Sequence, residues 1–179
     1  APLQHRRGVL GVPGGWLLID WLEGTGMHRF TRWFHAAPAT RVATAGDVAK
    51  LTSATGNAQL LLCDLRRSED AASTLTVATA PYSERYGDEV AAPVVRFDDR
   101  AGLPALRVTA VVPSPTNLPA PKLRVDEITG DRAAGTLSAR LVTATGARLI
   151  VALRCAGNTD APRIVVTSEG AEQPRIVSH

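Results

Sequence analysis

The run Trp16-Leu17-Leu18-Ile19-Asp20-Trp21-Leu22 constrains the fold more than any other stretch of the chain. Successive side chains of a strand point to opposite faces, so Trp16, Leu18, Asp20 and Leu22 share one face and Leu17, Ile19 and Trp21 the other. Both faces are mostly apolar, which predicts a strand buried between two layers, with Asp20 as its one anomaly. Two further apolar-rich runs flank it, Arg6 to Val12 and Met27 to His35, behind the turn formers Pro13-Gly14-Gly15 and Glu23-Gly24-Thr25-Gly26. The expected local structure is a three-stranded antiparallel meander.

The rest of the chain reads the same way. Thr40 to Ala45, Lys50 to Thr55, Gln59 to Leu65, Leu75 to Ala80, Val94 to Phe97 and Ala105 to Val112 carry strand patterns between turn formers, and no window sustains an i, i+3, i+4, i+7 apolar repeat. Asp98-Asp99-Arg100-Ala101-Gly102 reads as a solvated loop, and Tyr82 to Asp88 as a polar loop bearing two tyrosines. With 45% hydrophobic and 21% charged residues in 179, the chain is long enough to bury a sizeable core. The fold class expected is all-β, an antiparallel β-sandwich of many short strands.

Pro113 to Pro121 is the one proline-rich segment, expected to be extended and unable to join a central strand. It divides the chain into a main sandwich region over 1–112, a connection over 113–121 and a C-terminal region over 122–179. There Lys122 to Ile128, Thr136 to Thr143, Arg148 to Cys155 and Arg163 to Thr167 read as strands. They either complete the same sandwich or form a small second sheet.

Charge narrows the partners only a little. The net charge is +3, with His5-Arg6-Arg7 and Arg66-Arg67 the only clusters of basic residues. This permits attraction to an acidic polymer, while the lack of a basic run interleaved with aromatics argues against nucleic acid. No apolar run approaches the roughly 20 residues of a membrane span, and no signal peptide is expected within the chain. The start at Ala1, without an initiator methionine, reads as a piece of something longer. Cys63 and Cys155 read as buried free thiols in apolar strands, although a disulfide between them stays open.

Ionisable residues that interrupt apolar strands are the first candidates for chemistry: His5, Asp20, His28 and His35. Two histidines and a carboxylate suit zinc, and a hairpin about Gly24-Thr25-Gly26 would make Asp20 and His28 same-face diagonal neighbours. His35 has the opposite parity and needs a bulge to join them. The stronger reading is that Asp20 accepts hydrogen bonds from an arginine or backbone amide and the histidines fill strand positions. Tyr82 and Tyr86 are candidate sugar contacts, though a tyrosine beside Gly87 more often packs its turn against the sandwich. No Gly-x-Ser-x-Gly elbow, phosphate-cradling glycine loop or His-Glu-x-x-His is present.

Several of these pieces, in order, resemble the later β-sandwich part of the heparinase II/III-like polysaccharide lyases. They are His5-Arg6-Arg7, Trp16 to Asp20, Leu22-Glu23-Gly24-Thr25-Gly26, His28-Arg29-Phe30, Phe34-His35-Ala36-Ala37-Pro38, Tyr82-Ser83-Glu84-Arg85-Tyr86-Gly87 and Leu103-Pro104-Ala105-Leu106. The resemblance implies a parent reaction of β-elimination on a uronate polysaccharide, with catalytic groups largely from an upstream α/α-toroid of the same polypeptide. It also implies a periplasmic or extracellular setting. The family's metal motifs, His-x-His-Ala-Asp, Asp-Pro-Gly and His-Asn-Thr, do not occur in this chain, so no cofactor is expected in it and no catalytic residue carries over. The expected role is non-catalytic: bracing the toroid and bordering the substrate cleft. The alternative is an autonomous carbohydrate-binding or protein-interaction module.

Overall fold

The computed structural model describes residues 3–12, 14–65 and 73–115 and five later strands, and it is all β. In chain order the strands are β1 (Gln4–Val12), β2 (Gly15–Glu23), β3 (Met27–His35), β4 (Arg41–Ala45), β5 (Val48–Thr52), β6 (Ala58–Leu65), β7 (Thr74–Tyr82), β8 (Val90–Gly102) and β9 (Ala105–Pro115). The later ones are β10 (Arg124–Thr129), β11 (Thr136–Val142), β12 (Arg148–Arg154), β13 (Arg163–Ser168) and β14 (Arg175–Val177). Arg66-Arg67, Cys155 and the proline-rich stretch beyond Pro115 lie outside the described residues.

The first nine strands build an antiparallel β-sandwich. One sheet has the order β1-β2-β9-β6-β5-β4 and the other β3-β8-β7. β10 to β14 form a third, five-stranded sheet in simple sequential order, so the C-terminal strands make a sheet of their own. Its last strand, only three residues long, carries too little pattern to be read from sequence.

The expected meander is half right. β1 and β2 do form a hairpin, and Gly14 just before β2 adopts φ 89°, a left-handed conformation that favours glycine. β3, however, leaves for the other sheet, where it pairs with β8, and β2 takes β9 as its second neighbour. The turn glycines at 24 and 26, with φ 148° and 85°, carry the chain across the layers instead of folding it back.

Parity explains the packing. On the six-stranded sheet Leu10, Val12, Leu17, Ile19, Leu61, Leu65, Val108, Ala110 and Val112 share one face and form a single buried cluster. On its opposite face Ala49, Leu51 and Leu62 meet Val95, Phe97 and Ala36 of the three-stranded layer, with Phe34 packed edge-on against Phe97. β2 supplies Leu17 and Ile19 to the first face, while on its other face Leu22 packs with Ala101 and Phe30 of the three-stranded layer and Trp16 stays 47% exposed.

Two loop readings are corrected. Asp98 to Gly102 is not a loop: it is the second half of β8, and the turn falls at Leu103-Pro104. Pro113 and Pro115 belong to β9, a central strand, paired with Leu60 and Ala58 of β6. The ladder tolerates them because the β2 pairing stops at Val111, so both prolines have a strand on one side only and share one parity.

Candidate functional site

Two sets of polar residues stand out, one inside the sandwich and one outside. The interior set begins at Asp20, which is 2% exposed. In the β1–β2 register Arg7 lies opposite Asp20, and its guanidinium grips the carboxylate with two bonds, Nε to Oδ1 at 2.7 Å and Nη2 to Oδ2 at 3.0 Å. His5, two residues along on the same face, adds a third, Nε2 to Oδ1 at 2.7 Å. Burial pushes the Asp20 carboxyl up, but the hydrogen bonds and charges of Arg7 and His5 outweigh it and hold the group below its usual range.

The other neighbour of Asp20 in the same cross-strand row is Arg107 of β9. Arg107 is buried, donates through Nε to Asp99 Oδ1 (3.0 Å), and lies over the Phe30 ring. Asp99 also accepts from Arg32 of β3, Nη2 to Oδ2 at 3.0 Å. Arg32 is the hub, donating to Asp64 Oδ1 at 2.7 Å and Thr109 Oγ1 at 2.7 Å in the opposite sheet while stacking on Phe97. Ser73 closes the cluster with Oγ 2.6 Å from both Asp64 and Asp99, and its single hydrogen serves one carboxylate at a time. Among the described residues two arginines face two aspartates here, and the cluster ties β3 and β8 to β6 and β9.

Sequence reasoning missed this cluster. Asp99 belongs to the segment that reads as a solvated loop, yet it is 5% exposed and faces the core, whereas Asp98 faces outward to Thr31 and Arg96. The available signal was the alternation Val95, Phe97, Asp99, Ala101, which places Asp99 on the apolar parity just as Asp20 interrupts an apolar strand.

Of the predicted metal candidates His5 and Asp20 meet, but His28 and His35 do not join them. Asp20 and His28 lie in different sheets, because β3 is not the hairpin partner of β2. His28 bonds the Thr25 carbonyl through Nε2 at 3.0 Å, and His35, on the outer face, stacks with Trp33. Among the described residues no group of three His, Cys, Asp or Glu side chains is placed to hold a metal ion. Tyr82 ends β7, while Tyr86 projects fully into solvent instead of packing on its turn. Cys63 is a free, half-buried thiol, its pKa pushed up to about 11 by burial.

The exterior set lies on the outward face of the three-stranded sheet. β3 presents Arg29, Thr31, Trp33 and His35 there, opposite Arg100, Asp98, Arg96 and Val94 of β8. Trp33 is 46% exposed, with the Arg96 guanidinium 4.5 Å from its ring centroid. Arg96 Nη2 also donates to Asp98 Oδ1 at 3.0 Å, and Thr31 Oγ1 donates to the same oxygen at 2.6 Å.

Compared with known proteins, the chain matches no family model, no curated protein and no solved structure. Among the described residues no helix is long and apolar enough to cross a membrane.

Proposed function

We propose that this chain is the non-catalytic sandwich portion of a heparinase II/III-like polysaccharide lyase, bracing an upstream α/α-toroid and bordering the cleft for a uronate-containing polysaccharide. The observation that supports this reading is the buried ionic cluster. Arg32, Asp64, Asp99 and Arg107 pair across the two sheets, and all four side chains are almost wholly buried. A scaffold uses charge in this way, since a buried pair fixes geometry more than it adds net stability. The resembling pieces keep their order, and two of them, His5-Arg6-Arg7 and Trp16 to Asp20, meet in the Arg7–Asp20–His5 contact.

The test is to express the protein with whatever its source encodes ahead of Ala1 and assay acidic polysaccharides for unsaturated uronate ends. Activity of the longer chain, absent from residues 1–179 alone, is the expected result. A natural product that begins at Ala1 would overturn the reading. The second reading, an autonomous carbohydrate-binding module, is favoured by one observation, the exposed aromatic and arginine residues on the outer sheet face.

A further inference from the structure

Arg29 and Arg100 are directly opposed in the β3–β8 register, both exposed on the outer face. Like charges in directly opposite positions destabilise a sheet, and strands ordinarily place a carboxylate or neutral residue there. Among the described residues neither guanidinium has a carboxylate within salt-bridge distance: Asp98, which feels the Arg29 charge, is directly engaged by Thr31 and Arg96. Among the described residues the face thus carries Arg29, Arg100 and Arg96 against one aspartate. Four residues along β3, about 13 Å at the strand rise, stands the Trp33–Arg96 stack. Along β7, Thr74 and Thr76 are exposed and paired with Asp98 and Arg96, adding hydroxyls to the same face.

We propose that this outer face binds an acidic polysaccharide, with Arg29 and Arg100 clasping one carboxylate or sulfate and the Trp33–Arg96 stack receiving another sugar unit further along the chain. The proposal rests on the polysaccharide reading above and names the surface that meets the polymer. An anion between Arg29 and Arg100 turns an unfavourable pair into two charge-assisted contacts. Asp98 lies between the two positive positions, where a sugar hydroxyl can donate to it and a phosphodiester cannot. One face of the Trp33 ring is already covered by Arg96, and His35 stacks nearby, which suits a sugar along the ring edge better than base stacking.

The test measures binding of alginate oligosaccharides, heparan sulfate and single-stranded DNA to the 179-residue chain by calorimetry, for wild type, Arg29→Gln/Arg100→Gln and Trp33→Ala. The expected result is that wild type binds at least one of the two polysaccharides and that the arginine variant binds it about tenfold or more weakly. The melting temperature of that variant without ligand should be unchanged or higher, because the substitutions remove a repulsive pair. Trp33→Ala should weaken the same polysaccharide while leaving the fold intact. No binding of either polysaccharide by wild type, equal affinity in the arginine variant, or DNA bound as tightly as the polysaccharide would each overturn the proposal. Because binding is read on this chain and lyase activity on the longer protein, the two readings fail separately.

Discussion

Arg32 and Asp64 come from different sheets of the sandwich, and their side chains meet at 2.7 Å with both groups almost wholly buried. The contact makes the register between the layers a matter of charge as well as of shape. Arg32→Met would strand Asp64 and Asp99 in the interior with one cation fewer. The expected loss is about 3–5 kcal/mol of unfolding free energy, measured by urea denaturation. A loss below about 1 kcal/mol would show that the cluster is open to water.

Acid should weaken the Arg7–Asp20 contact in a defined direction. Asp20 is held below its usual pKa, so its contribution is fully present above the unfolded value of about 3.9 and is lost as pH falls through the folded value. The melting-temperature gap between wild type and Asp20→Asn is therefore expected to hold near pH 5 and to narrow below about pH 4. A gap that widens on acidification would mean that the carboxylate is not held charged.

Gly15 opens β2 against the backbone of β9. A Cβ at this position would strike the Val111 carbonyl oxygen, and since that atom is backbone, β9 itself must move. Gly15→Ala is expected to cost about 1–3 kcal/mol in thermal or chemical unfolding. Gly11→Ala, whose added Cβ meets nothing within 4 Å, should stay within about 0.5 kcal/mol of wild type and serves as the control.

Ile19 is 5% exposed on the apolar face of the six-stranded sheet that points away from the ionic cluster. Ile19→Asp would bury an unpaired carboxylate among Leu10, Leu17 and Val108, and the protein should unfold or become insoluble. Solubility and circular dichroism read the outcome, and a near-neutral result would contradict burial of β2 on that side.

Cys63 should be slow to react in the folded protein. With its thiol pushed up to about 11, roughly one thiol in a thousand is ionised at pH 8, and the thiolate is the nucleophile. Iodoacetamide labelling followed by peptide mapping should show Cys63 modified far faster in urea than in buffer. Equal rates would place the thiol in solvent.

The strands were legible because period-two alternation and turn residues are local properties of the chain. Most expected strands up to β9 fall within a few residues of their observed bounds, and Met27–His35 matches outright. Partner choice was not legible. Alternation states which face a residue occupies but not which strand lies beside it, so Glu23-Gly24-Thr25-Gly26 read as a hairpin although the chain changes sheets there. The ionic cluster was hidden for the same reason, since Arg32, Asp64, Asp99 and Arg107 come from four strands and look ordinary one at a time. Asp20 alone announced itself, because its acceptor role is visible wherever a single carboxylate interrupts an apolar run.

β9 lies between β2 and β6 in the larger sheet, and over half of the chain separates Trp16 from its partner Val111. The contact order of that sheet is accordingly high, and the β1–β2 hairpin has only its own two strands to rely on until β9 arrives. During synthesis the sheet therefore cannot close from its N-terminal end: its central seam is one of the later pieces to leave the ribosome, and both β2 and β6 wait for it with an edge unpaired.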